Sequence, residues 1–262
     1  MSSRPRLVVV GGGNMGAALV GGLVTGGHEA RSILVVEVDP AKRSALATEW
    51  GVATASELAP GDGCIVAVKP GDVAEVAGRM AALGTPRILS IAAGVRLAAL
   101  EAAAPGARVV RAMPNTPALV REGVTAISGG SACDESDLVW AEGVLVAVGT
   151  VVRVPEEQMD AVTAVAGSGP GYLFLFAEAL LDAALAEGLP RETADALVRQ
   201  LFKGAGALLA GSTESPATLR ERVTSPNGTT AAGLAEFEAA GLRETVNKAV
   251  RAAAARSLEM GR

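Results

Sequence analysis

The feature that most constrains this chain is a glycine hexad, Gly11-Gly12-Gly13-Asn14-Met15-Gly16, set directly behind the short apolar run Leu7–Val10 and ahead of an amphipathic stretch. A G-x-G-x-x-G in that position requires a strand to stop, turn tightly and enter a helix. Gly11 makes the turn, Gly13 lets backbone amides approach an anion, and Gly16 lets the helix pack closely on the strand. The free amides and the dipole at the helix start then suit a pyrophosphate. The required context is present, because a second apolar run, Ile33–Glu37, ends in an acid 21 residues beyond Gly16. An acid there accepts hydrogen bonds from an adenosine ribose, which favours NAD over NADP. Lys42 and Arg43, opening the next helix, leave the alternative standing that a 2′-phosphate is met by cations.

The same alternation continues to about residue 154. Short apolar runs at 7–10, 33–37, 64–68, 87–91, 108–112, 124–128 and 150–154 read as strands. Helical stretches at 15–25, 40–50, 73–83, 97–104 and 135–146 lie between them. That pattern predicts a parallel sheet wrapped by helices. After about residue 156 the strand signal stops. The stretch 158–188 is apolar throughout except at Gly167-Ser168-Gly169-Pro170-Gly171, which is expected to break a helix. Val198, Leu201, Phe202, Ala205, Leu208 and Leu209 then recur at spacings of three and four, an apolar stripe on a helix starting near Pro190. Shorter helices are expected from Pro216, from Gly228 and from Leu242. The chain of 262 residues thus divides near 156 into an α/β half and an all-helical half.

Composition limits what the chain can do. It is 50% hydrophobic, with 3% aromatics and 32 glycines, so its cores are built from small aliphatic side chains brought close together. Net charge is −5 and no basic block occurs, which argues against nucleic acid or an anionic membrane surface as partner. Residues 7–28 carry no charge, but eight of them are glycine, so strand, turn and helix are expected there and not a membrane span. The apolar run behind the start is too short for a signal peptide, and a cytoplasmic protein is expected. Cys64 and Cys133 form no paired motif and the lone histidine, His28, stands apart from them, so no metal site is expected. In the second half, residues 172–185 hold only Glu178 and Asp182 as charges. A helix apolar nearly all round must be buried, and a partner subunit is the expected cover.

Further ligand loops are expected where strands end. These are Ala67-Val68-Lys69-Pro70, Ala92-Ala93-Gly94 and the segment 113–117 around Asn115. Lys69, ending an apolar strand, is placed to donate to ribose or phosphate, or else snorkels there as an ordinary surface lysine. In the helical half the segment 224–230 precedes a helix start whose amides and hydroxyls suit a small carboxylate, unless they serve only as a cap.

Taken in order, GGGNMG, AVKPGDV, SIAAGV, RAMPNTPALVREGVT, DAVTAVAGSGPGY, GLPRETA and SPNGTTAAGL resemble the motifs of pyrroline-5-carboxylate reductases over nearly the whole chain. The resemblance implies a Rossmann-type dinucleotide-binding domain (1–156) followed by an all-helical dimerisation and substrate-binding domain (157–262). It implies NADPH- or NADH-dependent reduction of the cyclic imino acid 1-pyrroline-5-carboxylate to L-proline, and a homodimer, commonly built into decamers. By the same resemblance Gly11, Gly13, Asn14, Met15 and Gly16 hold the pyrophosphate. Ala67–Pro70 and Ala92–Gly94 line the nicotinamide half with Asn115 nearby, and Ser225, Asn227, Gly228, Thr229 and Thr230 cradle the substrate carboxylate. Thr230 is the hydroxyl expected to donate to the imine nitrogen. Two positions depart from the family pattern. Asn227 stands where glycine is usual, and tolerates positive φ better than most residues; Gly171 stands where alanine is usual. Two rival readings are a β-hydroxyacid dehydrogenase-like enzyme, against which the helix after Gly171 has no lysine before Lys203, and a non-catalytic dinucleotide sensor.

Overall fold

Strand β1 (Leu7–Val10) has every residue buried, and its alternation explains why it reads as an unbroken apolar run. Leu7 and Val9 point into one core with Leu19, Leu23, Ile127 and Leu145. Val8 and Val10 point into a second core with Val73, Met80 and Leu100. A strand covered on both faces has no polar side to show. The computed structural model in which this is seen describes residues 6–261.

Among the described residues, eight strands form one sheet in the order β3-β2-β1-β4-β5-β6-β7-β8. They are β1, β2 (Ile33–Val36), β3 (Ala53–Ala55), β4 (Gly63–Val66), β5 (Arg87–Ser90), β6 (Arg108–Met113), β7 (Gly123–Gly129) and β8 (Gly149–Arg153). The helices α1 (Asn14–Thr25), α2 (Pro40–Trp50), α3 (Val73–Ala82), α4 (Leu97–Ala103) and α5 (Glu135–Leu145) fall where the periodicity predicts them. Pro40 at its first turn and Asp39 accepting from the Ala41 and Lys42 amides start α2. At α5 a reciprocal capping box between Asp134 and Asp137 does the same work.

Several expectations need correction. The sheet is not wholly parallel: β7 runs antiparallel to β6, and β8 is parallel to β7. Only residues 114–122 join β6 to β7, too short a link for a parallel crossover, which takes a dozen residues or more. The edge strand β3 was not expected; its three residues carry too little pattern, and it exists because it pairs with β2. Strands β2, β4 and β5 also end one or two residues earlier than their apolar runs, as the chain leaves the ladder for the loops at their carboxyl ends. Lys69 therefore lies three residues beyond β4, exposed, and does not end the strand.

Residues 6–168 and 253–261 make one compact unit, and 169–252 a second. The first unit includes α6 (Met159–Val162) and a π-helical segment, Thr163–Gly167, closed by the Ser168 amide donating to the Thr163 carbonyl at 2.8 Å. The expected break at the glycines is this single wide turn, and helix resumes at Gly169. Residues 253–260 of α11 (Leu242–Met260) are tied into the same unit by the Ser257 hydroxyl donating to Asp160 at 2.6 Å.

The second unit holds α7 (Gly169–Ala186), α8 (Arg191–Gly211), α9 (Pro216–Arg222), α10 (Thr229–Ala239) and the start of α11. Phe176 packs edge-on to Phe202 at 6.3 Å and against Phe237 at 5.7 Å. Of the residues in α7 to α10, Ala194 alone is buried. Leu173, Phe174, Leu175, Leu201 and Leu208 are each more than half exposed. The helical run Glu156–Ala186, 31 residues with mean hydropathy 1.3, is also long and apolar enough to cross a membrane by length and composition alone.

Candidate active site

Strand order reverses between β1 and β4: chain progress runs outward to β2 and β3 on one side and to β5 and β6 on the other. Open α/β sheets bind ligands at the carboxyl ends of strands beside such a reversal. The loops after β1, β4 and β5 all leave there. A recess of 680 Å³ in the first unit, lined by Arg6, Leu7, His28, Ile33 and Trp140 among others, lies at the amino ends of β1 and β2, the wrong end for that role.

The glycine hexad is built as a cradle. Gly11 has φ +105°, and a Cβ there would run into the carbonyl oxygen of Ala67. A Cβ at Gly16 would run into that of Gly11, so the turn and the helix start leave no room for a side chain at either position. Helix α1 begins at Asn14 with Gly13 as its cap and no side chain bonded to its first-turn amides, which leaves those of Asn14, Met15 and Gly16 for an anion. This surface fits a pyrophosphate, and hence a dinucleotide, on shape and donors alone.

Glu37 stands just past β2. Its Oε2 accepts from the Gly12 amide at 2.7 Å and its Oε1 from the Asp39 amide at 2.9 Å. Burial by itself would raise the carboxyl's pKa, but these two amides and nearby Lys42 outweigh burial and hold it below the ordinary carboxylate range. Arg43 is committed elsewhere, donating to the backbone carbonyls of Glu37 and Val38 at 2.7 and 2.9 Å.

Ala67 donates its amide to Val10 at 2.8 Å, so the Ala67–Pro70 loop starts fixed to β1. Ala92 is buried and Ala93 and Gly94 are half-buried. Gly94 lies against Met260 of the last helix turn. A cavity of 220 Å³ is lined there by Ala93, Gly94, Thr163, Ser168, Ser257 and Met260, among others. Asn115 uses its side chain internally: Nδ2 donates to the Ala166 carbonyl in the π segment at 3.1 Å, and Oδ1 accepts from the Val124 amide at 2.9 Å. Its side-chain amide is thus a brace between the loop after β6 and the π segment.

No local sequence signal marks the residues that hold this region in place. Glu156 accepts from the Leu97 amide at 2.6 Å and from buried Arg111 at 3.0 Å, tying the segment before α6 to the start of α4 and to β6. Both links span 45 residues or more, and neither pattern nor spacing signals a contact that distant. Cys64 is buried among aliphatic side chains, which pushes its thiol far up, and the Cys133 thiol donates to the Val109 carbonyl at 3.0 Å.

In the second unit Ser225–Gly228 forms a tight turn, the Gly228 amide donating to the Ser225 carbonyl at 3.0 Å. Asn227 has φ +59°. With proline at the second position and positive φ at the third, this is a type II turn, and asparagine meets the demand that glycine would otherwise meet. Gly228 then caps α10 without a side chain, leaving the first-turn amides beside the exposed hydroxyls of Thr229 and Thr230.

Comparison with known proteins agrees with both parts. Residues 156–260 match the family described as pyrroline-5-carboxylate reductase dimerisation, and residues 6–94 the family described as NADP oxidoreductase, coenzyme F420-dependent. A pyrroline-5-carboxylate reductase of Mycobacterium leprae is 40% identical over 99% of this chain and 98% of its own. One of Pseudomonas aeruginosa is 41% identical over 98% and 97%. Among solved structures, the Coxiella burnetii reductase superposes with TM-score 0.94 at 34% identity, covering 99% of this chain and all of its own. The Plasmodium falciparum enzyme, solved with NADP bound, gives 0.85 at 29% identity, with full coverage of both chains.

Proposed function

The chain belongs to the pyrroline-5-carboxylate reductase family, and from that premise we propose that it reduces 1-pyrroline-5-carboxylate to L-proline. The observation that carries this reading is the cradle at the strand-order reversal, whose glycines exclude side chains and whose helix start is uncapped. A bound NADH or NADPH supplies the hydride.

This chain's own residues bind and orient. The amides of Gly13 to Gly16 hold the pyrophosphate. The loops Ala67–Pro70 and Ala92–Gly94 form the wall for the nicotinamide half, and Asn115 fixes the neighbouring loop. The turn Ser225–Gly228 presents the first-turn amides of α10 to the substrate carboxylate. The Thr230 hydroxyl donates a hydrogen bond to the imine nitrogen, which takes its proton from solvent, so that the carbon accepting hydride is made more electrophilic. No histidine is needed, and most of the rate comes from orienting two rings with preorganised donors.

The functional division falls near residue 156, and the helical part joins two copies. The exposed apolar faces of α7 and α8 support a homodimer, and assembly of dimers into a decamer is proposed with it. On this reading the apolar run 156–186 packs against protein, not lipid, and the enzyme works in the cytoplasm. Purified protein mixed with pyrroline-5-carboxylate and NADH or NADPH is expected to consume the reduced nicotinamide, followed by its absorbance. Thr230→Ala is expected to lower kcat about 10²-fold or more, the scale of one lost preorganised hydrogen-bond donor. An unchanged kcat removes Thr230 from the mechanism, and no consumption with either cofactor favours the non-catalytic sensor.

A further inference from the structure

We propose that the adenosine end of the dinucleotide site is built for an unphosphorylated ribose, with Glu37 as the specificity-determining residue and Glu57 as its support, so that this chain prefers NADH to NADPH. The proposal rests on the reductase reading and narrows its cofactor.

The carboxylate is locked in place. Each oxygen of Glu37 holds one backbone amide, from Gly12 and from Asp39, and each keeps a lone pair free for a ribose hydroxyl. Turning the side chain away would strand the amide of buried Gly12, which costs the desolvation of an unpaired donor. A 2′-phosphate therefore meets a fixed negative charge that has no easy alternative position.

The surroundings repeat that sign. A cavity of 320 Å³ opens beside Gly11 and Glu37, and its charged lining is Glu37, Glu57, Asp72, Glu75 and Arg79. The one cation among the described lining residues, Arg79, is paired with Glu75 at 3.4 Å. Glu57 reaches the cavity because β3 pairs with the outer edge of β2, where the Glu37 amide donates to the Ala55 carbonyl at 3.0 Å. Among the described residues, the cations expected to receive a 2′-phosphate lie outside the lining: Arg43 is bound to two backbone carbonyls, and Lys42, close enough to Glu37 to favour its charged form, is exposed on α2. An acid at the end of the second strand suits a free 2′-hydroxyl, whereas a 2′-phosphate site needs a basic group in its place. The preference is thus a property of this chain's own residues, distinct from the NADP carried by the Plasmodium relative.

The test is calorimetric titration of the full-length protein with NAD⁺ and NADP⁺ in parallel, without substrate. NAD⁺ is expected to bind at least about tenfold tighter, the size of one well-placed charge effect. In Glu37→Gln the NAD⁺/NADP⁺ ratio of affinities is expected to fall at least about fivefold. Exposed Glu57→Gln, which leaves the Gly12 and Asp39 amides their acceptor, is expected to lower the ratio by about twofold. Equal or tighter NADP⁺ binding by the unmodified protein overturns the proposal and leaves the reductase reading standing. An unchanged ratio in both variants also overturns it. Should Glu37→Gln fail to fold, the unmodified protein and Glu57→Gln decide. Binding of neither dinucleotide removes the reductase reading and the proposal together.

Discussion

Strand β1 and helix α7 are both apolar segments, yet all four residues of β1 are buried and none of α7 is. The first unit closes its own core, because a sheet has two faces and α1 to α5 cover both. The second unit is four helices and the beginning of a fifth, with small side chains and a few aromatics, and offers no second layer to its outer apolar faces. Identical apolarity therefore means a finished core in one region and an unfinished one in the other. Burial follows from how many layers a unit brings, not from the composition of one element.

The sharpest way to break this comparison is to charge the exposed stripe of α8. Leu201→Glu with Leu208→Glu, at positions 55% and 59% exposed in the single chain, is expected to turn the proposed dimer into monomers and abolish turnover, since an unpaired carboxylate buried at a subunit interface faces a desolvation penalty on the order of several kcal/mol. Sedimentation analysis reads the outcome, and a dimer that persists would place the interface elsewhere.

A smaller effect separates the two regions by concentration dependence. Leu89→Ala, in the closed core at 0% exposed, is expected to cost about 2–5 kcal/mol at any protein concentration. Leu208→Ala is expected to destabilise melting only through assembly, so its loss in Tm is seen at concentrations where the unmodified protein is assembled and vanishes on dilution. Equal, concentration-independent losses at both sites would show that α8 is stabilised within its own chain.

The mildest test concerns the turn before α10. Asn227→Ala places an unfavourable side chain at φ +59° and is expected to cost about 1–2 kcal/mol and to raise KM for the imino acid more than it lowers kcat. Asn227→Gly is expected to leave KM within about twofold, since only tenths of a kcal/mol separate the two residues in this role.

Most of the nucleotide-binding region could be read directly. Leu7–Val10, the hexad behind it and the acid at 37 are local signals, each set by chain neighbours, and Pro40–Trp50 matches its expected helix to the residue. The tolerance of positive φ at 227 was legible too, from an asparagine standing where the family pattern has glycine. What escaped has a common cause. Strand β3, the reversal at β7, the Asn115 brace and the Glu156 and Ser257 links all depend on segments far apart in the chain, and a three-residue strand or a lone glutamate has no periodicity to betray it.

By itself the sequence determined where most strands and helices lie to within a residue or two, that a pyrophosphate-sized anion fits after β1, and that the helical half needs a cover. Tertiary structure alone decided that Glu37 is held by two backbone amides, that Arg43 is spent on carbonyls, and that β3 brings Glu57 to the same cavity. The physical reason is range. Turn geometry and helix starts are fixed by residues a few positions apart, whereas the charge around a ligand is summed over whatever the fold brings together.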